Sequence, residues 1–244
     1  MLIDGVDLKT LGFTVLKDYE DDLFPPISYN PITIPGRAGK RKGEVAMAEK
    51  IRVYDIMIKG ESEADLEHKL NLFKKLFLDQ KGELKPVTVV PYDDGLYFTA
   101  YINGTSSVKR SFRTYTITVE LVSFEPYKYG EVSHASGSVF PMTIMADDHM
   151  QAAAATYHVS FLSSTSHFRL EHVGLGKKIE LQHHFSEGSL LSIQMYMEKI
   201  TSHGEDLRAK LTFESDFFNL VPGENVLDTN ADIGLSLWYV PRFL

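Results

Sequence analysis

Apolar and polar residues alternate over short runs along most of this sequence. The clearest run is 114–121, whose apolar members are Tyr115, Ile117, Val119 and Leu121. A period of two places successive side chains on opposite faces of a β-strand, so each run predicts a strand with one face on a core. Further short runs follow residue 155, with glycines between them, as is typical of a β-sandwich or jelly roll. The sequence therefore predicts a mainly β chain.

One helix interrupts this pattern between residues 62 and 82. Ser62 is a favourable N-cap, and Asp65 stands three residues later in the capping-box position. Apolar residues then recur at steps of four, three and four, and these are Leu66, Leu70, Phe73 and Phe77. That spacing forms an apolar stripe on one side of a helix, with Gly82 as its predicted end. We expect the stripe to pack against a sheet, which makes the first part of the chain α+β.

The composition changes near residues 126–135, where we place a domain boundary. Residues 131–140 are mostly small or polar, as in a linker, and every histidine except His68 follows residue 131. A chain of 244 residues is long enough for two ordinary domains. The predicted domains are 1–130, which contains the helix, and 131–244, a β-sandwich. Within the first domain, the pair Asn103-Gly104 predicts a tight turn.

Residues 24–43 break the strand pattern. This segment holds four prolines and three glycines in twenty residues. Proline cannot donate a backbone hydrogen bond to a sheet and fixes φ, so we expect an extended arm or long loop instead of a regular element. Loops of this length are uncommon within compact domains, and ordered ones are usually functional or held by a partner. The arm is therefore a first indication that the chain assembles with other proteins.

The chain is acidic, with a formal net charge of −8, and it contains no cysteine. Disulfides, thiol catalysis and cysteine-bound metals are therefore excluded. A dedicated nucleic-acid-binding protein is normally basic, so we expect no specific nucleic-acid partner and place the basic residues of 37–42 in a solvated loop. No apolar run approaches the roughly 18 residues of a spanning helix, and no signal peptide is found. We therefore expect no membrane insertion and synthesis in the cytoplasm.

The sequence predicts no catalytic site, no metal site and no cofactor, and hence a protein that is not an enzyme. It has no Gly-x-Ser-x-Gly nucleophile elbow. The candidate metal ligands are Asp147, Asp148, His149, His183 and His184. Their spacing matches no zinc motif, and neighbouring residues on a strand face opposite sides. The glycines on either side of Arg37 lack P-loop spacing, and acidic neighbours in turns do not make a catalytic carboxylate pair.

Trp238 is the only tryptophan, and it lies in the alternating run 235–240. It falls on the face opposite to Leu235, Leu237 and Tyr239. The ring is therefore either an exposed platform for a ligand such as a sugar, or a side chain packed against a neighbouring element. An exposed Trp238 beside a polar concavity favours a binding module, whereas a packed ring favours a purely structural role.

Two stretches of the sequence together resemble a known family. The first is Ile-Pro-Gly-Arg-Ala-Gly at 34–39, which follows an N-terminal hairpin and precedes a strand and the capped helix. The second contains Pro-Gly-Glu-Asn at 222–225 and ends with Trp-Tyr-Val-Pro-Arg-Phe-Leu at 238–244. This layout is similar to the distal tail proteins (Dit-like siphophage tail components) of long-tailed bacteriophages, and the similarity extends over essentially the whole chain.

The resemblance implies a structural virion protein that forms a ring-shaped hub, expected to be a hexamer, at the distal end of a phage tail. Such a hub links the tail tube protein to the host-adsorption apparatus, with a tail-associated tip protein and a receptor-binding protein as further partners. The implied location is the tail tip of a virion assembled in the host cytoplasm. The implied fold is a tail-tube-like β-sandwich followed by a galectin-like β-sandwich, without catalysis.

The resemblance also assigns roles to particular residues. It implies that the arm contacts a neighbouring subunit through Pro35, Gly36, Arg37, Gly39, Lys40 and Arg41. We expect Pro222, Gly223 and Asn225 to form a structural turn between the last strands, because glycine tolerates positive φ and asparagine can bond its own backbone. Sugar recognition does not follow from a galectin-like fold, since no matching set of sugar-binding side chains is found at the required spacing. The alternative hypothesis is a carbohydrate- or receptor-binding module that acts through the C-terminal sandwich.

Overall fold

The computed structural model describes residues 1–21, 24–33, 35, 40–41, 43, 45–91, 95–105 and 108–244. Over these residues the chain divides into two compact units, Met1–Lys128 with Leu244 and Tyr129–Phe243. Each unit contains its own cluster of buried apolar side chains. No helix in the described part of the chain is both long enough and apolar enough to cross a membrane.

The first unit is built on antiparallel strands with one α-helix among its described residues. The strands are β1 (Leu2–Ile3), β2 (Val6–Asp7), β3 (Phe13–Asp21), β4 (Ile27–Tyr29), β5 (Ile32–Thr33), β6 (Lys40–Arg41), β7 (Val45–Met47), β8 (Lys50–Lys59), β9 (Val87–Val90), β10 (Phe98–Thr105), β11 (Lys109–Ser111) and β12 (Thr114–Ser123). The helix is α1 (Glu63–Leu76), and Leu8–Leu11 forms a short 3₁₀ helix. Eight strands make one sheet in the order β2-β1-β9-β10-β12-β8-β3, with β11 paired to β12.

The centre of this sheet follows directly from the alternation in the sequence. Strand β12 pairs with β8 along its full length, and Ile117 lies opposite Ile56. Alternate residues of both strands are buried, as the period of two predicts. Leu66, Leu70 and Phe73 of the helix are buried in the same core. The Phe73 ring contacts the Phe13 ring edge-on, with 5.5 Å between the ring centroids. The predicted strand 114–121 and the predicted helical stripe are confirmed.

Two boundaries within the first unit differ from the prediction. The helix ends at Leu76 with Phe77 as its C-cap, so it stops before Gly82, because residues 77–85 fold into a turn closed by backbone bonds such as Lys85 N to Phe77 O at 3.0 Å. Asn103 and Gly104 do not form a tight turn. They lie inside β10, where the pairing with β12 shifts register between Ile102 and Gly104, and the glycine accommodates this bulge.

From residue 128 onward, strands again make up most of the chain. They are β13 (Lys128–Tyr129), β14 (Ser133–Gly137), β15 (Met142–Ala146), β16 (Ala155–Phe161), β17 (Phe168–His172), β18 (Lys177–Leu181), β19 (Leu190–Gln194), β20 (Lys199–Ser202), β21 (Glu205–Asp206), β22 (Gly223–Thr229), β23 (Ile233–Tyr239) and β24 (Arg242–Phe243). Short 3₁₀ helices span Val173–Leu175 and Arg208–Lys210.

These strands form a sandwich of two antiparallel sheets. One sheet has six strands in the order β14-β23-β16-β19-β20-β21, and the other has four in the order β15-β22-β17-β18. Inward-facing residues of both sheets join one core, which includes Tyr157, Leu170 and Leu227. Strands β13 and β24 form a separate pair. The prediction of a mainly β chain with a helix in its first part and a β-sandwich in its second is confirmed.

The segment 131–140 is not a simple linker. Residues 133–137 form β14, which pairs along its length with β23 and becomes an edge of the six-stranded sheet. Small and polar residues suit this edge because its outward side chains face solvent.

Candidate functional site

The described residues between 24 and 47 form a two-stranded ribbon. Strand β4 pairs with β7, placing Ile27 opposite Met47, and β5 pairs with β6, placing Ile32 opposite Arg41. Within the described strands, these pairs belong to none of the three larger sheets. The segment was predicted to lack regular elements, and this prediction is wrong for β4 to β7. The short stretches of chain beside its prolines are long enough for two or three backbone hydrogen bonds to a partner strand.

The ribbon exposes an unusual number of apolar side chains. Tyr29 is 61% exposed and Ile32 57% exposed. The full set is Phe24, Ile27, Tyr29, Ile32, Val45 and Met47. A two-stranded ribbon is marginally stable alone, and contiguous exposed apolar surface is typical of protein–protein contact sites. The geometry is therefore that of an element completed by a second surface.

The predicted contact residues of the arm are only partly described. Pro35 is exposed, and the backbones of Lys40 and Arg41 form β6. Gly36, Arg37 and Gly39 lie outside the described residues. The role of these six positions in oligomer contacts therefore stays a prediction.

Residues 221–225 lead into β22, and the side chain of Asn225 fixes their backbone. The Asn225 Oδ1 accepts a hydrogen bond from Val221 N at 2.8 Å, and its Nδ2 donates to Val221 O at 2.8 Å and Gly223 O at 3.0 Å. His172 Nε2 lies 2.9 Å from the same Oδ1, and both side chains are buried. Gly223 adopts φ +80°, whereas Pro222 is exposed. Gly223 and Asn225 thus belong to β22, so the turn between the last two long strands is at 230–232 and not at 222–225 as predicted.

Trp238 lies on the outward face of β23 and is 39% exposed. Two histidines from the flanking strands hold its indole from either side. The His134 ring on β14 is 4.8 Å away between centroids, tilted by 39°, and the His158 ring on β16 is 5.0 Å away, nearly perpendicular. Ring contacts of this kind fix the orientation of an aromatic side chain without covering it.

A groove of about 440 Å³ begins beside Trp238 and runs across the six-stranded sheet. We call it the Trp238 groove; its outward-facing side chains are those of His158, Ser160, Leu190, Ser192, Thr201, His203, Ser236 and Trp238. Strand register aligns four of these residues in a row, since His158 pairs with both Ser236 and Ser192, and Ser192 pairs with Thr201. Trp238 is therefore exposed beside a concavity that combines hydroxyl and imidazole groups with apolar side chains.

Sequence reasoning identified Trp238 but missed the rest of the groove. Only strand pairing brings His134 and His158 beside the indole, because 104 and 80 residues separate them from Trp238 along the chain. The concentration of histidines after residue 131 was the available signal, but the residue spacing did not indicate which strands are neighbours.

The candidate metal ligands are not brought together. Among the described residues, no group of three histidine or acidic side chains is arranged to hold a metal ion. Asp147 instead accepts a hydrogen bond from the backbone of His149 at 2.8 Å, and the His183 ring packs on Phe185.

Solved structures similar to this chain include a phage hub protein and a chain of a phage baseplate. The Dit protein of phage SPP1, described as a paradigm of the hub adsorption apparatus in phages infecting Gram-positive hosts, is 16% identical, with 100% of this chain and 98% of that chain covered and a TM-score of 0.78. A chain of the phage P2 baseplate in its activated conformation is 9% identical, with 98% and 93% covered and a TM-score of 0.44. The first establishes a common fold, whereas the second is too distant to support an argument.

Family models give the more specific result. Residues 6–123 match the phage tail protein RIFT-related domain, and residues 151–243 match the C-terminal domain of the siphovirus-type tail component. No curated protein matches the chain in sequence. The two matches follow one another in order and together account for most of the chain. The chain therefore belongs to the siphovirus-type tail components, as a distal tail protein.

Proposed function

We propose that this chain is the subunit of a ring-shaped hub at the distal end of a phage tail, where it links the tail tube to the host-adsorption apparatus. The observation that carries this proposal is the ribbon, which exposes six large apolar side chains. The described similarity of the fold to a hub protein of phage SPP1 supports the same role.

In this proposal the ribbon of one copy contacts the body of the next. Such a contact joins two different surfaces, and repeated contacts of this type close into a ring when the rotation per subunit permits. We propose a ring of six copies. Its neighbours would be the tail tube protein, a tip protein and a receptor-binding protein, in a virion assembled in the host cytoplasm. We assign the hub no catalytic activity.

The energetics are compatible with this contact. Full burial of a large apolar side chain contributes about 1.5–3 kcal/mol. Association of two proteins costs about 4–15 kcal/mol in lost freedom. Burial of the ribbon's six exposed apolar side chains is sufficient to offset much of that cost, and further contacts within a closed ring add to it.

Light scattering on the purified chain, across a concentration series, tests the ring. We expect a species of about six times the 27.6 kDa of one chain. The double substitution Tyr29→Ser with Ile32→Ser is expected to yield monomers, because it removes two of the most exposed apolar side chains of the ribbon. The control is Phe213→Ser, since Phe213 is an apolar side chain even more exposed than Tyr29 and Ile32 but lies in the second unit.

A ring that survives the double substitution would contradict the ribbon contact. Loss of the ring in Phe213→Ser would also contradict it, because the effect would then be a general one of removing exposed apolar surface. A monomer at every concentration in the unchanged protein would remove the self-assembling ring from the proposal.

A further inference from the structure

The outward face of the six-stranded sheet is more elaborate than a solvated sheet face requires. A sandwich sheet needs only polar side chains on its outer side. This face also carries a half-exposed tryptophan, held by two histidine rings, at one end of a groove. We infer that the Trp238 groove is a binding site for a neutral saccharide, a function independent of ring formation.

The lining of the groove determines the charge of its ligand. Among the described residues that line it there is no carboxylate, ammonium or guanidinium group. The same chain carries 33 acidic and 25 basic residues elsewhere. The lining is thus uncharged although the protein carries many charges elsewhere, and it complements an uncharged ligand. A charged ligand would lose its hydration in the groove without gaining an ionic partner.

The polar groups of the groove suit a ligand rich in hydroxyl groups. Ser236, His158, Ser192 and Thr201 form one row across four neighbouring strands. At the usual spacing of about 4.8 Å between strands, this row extends for about 14 Å, enough for a short oligosaccharide. Within the described part of the chain, the hydroxyls of Ser192, Thr201 and Ser236 have no protein hydrogen-bond partner. They are therefore available to donate to and accept from a ligand.

The apolar groups of the groove suit the C–H faces of a sugar ring. The faces of an aromatic ring carry partial negative charge, which attracts the weakly positive C–H groups of a pyranose. Leu190, 59% exposed, adds apolar surface on the neighbouring part of the sheet, opposite Ser160. A cavity of about 440 Å³ lies within the usual range for small-molecule sites.

Gly234 keeps part of the groove open. A Cβ at this position would lie 2.7 Å from Ser160 Oγ on the neighbouring strand. A larger residue would push the serine hydroxyl into the space of the groove. The glycine therefore preserves a shallow floor between Ser160 and Trp238.

The test uses the only tryptophan of the chain as its own reporter. The full-length protein is titrated with cellotriose, maltotriose and tri-N-acetylchitotriose while Trp238 emission is recorded. We expect one of these neutral probes to quench or shift the emission saturably, with a Kd on the order of 1 mM, as for a shallow site. Tri-galacturonate, an acidic probe of the same length, is expected not to bind.

Two substitutions locate the binding. Ser236→Ala and Thr201→Val each remove one hydroxyl and are expected to weaken binding about 5-fold. Thr143→Val is the matched control, because Thr143 is an exposed strand threonine on the other sheet; its affinity should not change. Trp238→Ala is expected to abolish binding measured by calorimetry, with circular dichroism and the melting temperature confirming that the variant is folded.

Three results would overturn the inference. The first is unchanged Trp238 emission with every neutral probe up to about 20 mM. The second concerns specificity. It is either neutral-sugar binding that both Ser236→Ala and Thr201→Val leave unchanged, or binding of tri-galacturonate without binding of any neutral probe. The third is an emission change on concentrating the protein without sugar, since the face would then be covered by another protein copy. None of these outcomes depends on the size of the ring.

Discussion

Two buried polar side chains of the second unit differ in whether their polar atoms are hydrogen-bonded. Asn225 makes hydrogen bonds with both polar atoms of its amide, to the backbone of Val221 and Gly223 and to His172. Tyr157 is fully buried, packs against Phe218, and among the described residues its hydroxyl has no hydrogen-bond partner. A buried hydroxyl without a partner destabilises the folded state, whereas a satisfied amide stabilises it. Burial also raises the pKa of Tyr157 above its usual value.

Tyr157→Phe is expected to preserve or raise the free energy of unfolding at neutral pH, by up to about 1 kcal/mol, since it removes the unpaired hydroxyl.

The raised pKa of Tyr157 also makes the free energy of unfolding depend on pH. Above pH ~10 the unfolded tyrosine loses its proton while the folded one keeps it, so the native protein should lose up to about 1.4 kcal/mol per pH unit through this residue. Below pH ~10 this contribution is constant. Denaturant unfolding between neutral and alkaline pH measures both effects.

The matched control for that change is Tyr196→Phe, because Tyr196 is 82% exposed. It should leave the alkaline slope of the free energy of unfolding unchanged. An identical alkaline slope in Tyr157→Phe and in the native protein would contradict the assignment of a buried, neutral phenol.

At the scale of elements, the helix α1 is the part of the fold whose start is best explained by its own sequence. The Ser62 Oγ accepts a hydrogen bond from Asp65 N at 3.2 Å, and the Asp65 carboxylate accepts one from Glu61 N at 3.0 Å. Lys69, one turn further on, donates to the same carboxylate at 2.9 Å and holds the pKa of Asp65 below its usual value. Two free backbone donors are thereby satisfied at the helix start.

Ser62→Ala should therefore lower the free energy of unfolding of the first unit by about 1 kcal/mol, the usual cost of losing an N-cap. Ser111→Ala is the control, since Ser111 is an exposed serine of β11 that caps nothing. Thermal unfolding followed by circular dichroism measures both. Equal melting temperatures for the two variants would show that the Ser62 cap contributes nothing.

The sequence predicts elements well where one physical effect dominates. Alternation identified β12, and the cap with its apolar stripe identified α1, because burial of one face determines both patterns. It failed at β14, whose edge position allows small and polar residues that resemble a linker. It failed at Asn103-Gly104 because the same pair suits a turn and a bulge.

At the scale of the whole molecule, the chain contains two separate apolar cores, one for each compact unit. A segment outside the large sheets could be anticipated from the prolines of 24–43, because they limit pairing inside such a sheet, although the pairing of β4 with β7 and of β5 with β6 could not. The Trp238 groove could not, because it depends on which strands become neighbours after β23 inserts between β14 and β16. Long-range pairing of this kind leaves no mark on the spacing of residues along the chain.

Separate cores predict separate effects of core mutations. Asn225→Ala leaves Val221 N, Gly223 O and His172 without their partner, and should destabilise the second unit by on the order of 3 kcal/mol. The first unit should keep its melting temperature, so calorimetry should show one transition shifted and one unchanged. Asn219→Ala, at an exposed asparagine nearby, is the control. A shift of both transitions by the same amount would contradict independent cores.

The position of β23 also bears on how the protein is made. Strands β14 and β16 flank β23, and the start of β23 at Ile233 lies 100 residues after the start of β14 at Ser133. During synthesis the first unit has all its strands once residue 123 has emerged from the ribosome, so it can fold while translation continues. Among the described strands β14 pairs only with β23, so it stays unpaired until 233–239 has been made, whereas β16 can pair earlier with β19. The first unit can therefore be folded before the Trp238 groove exists.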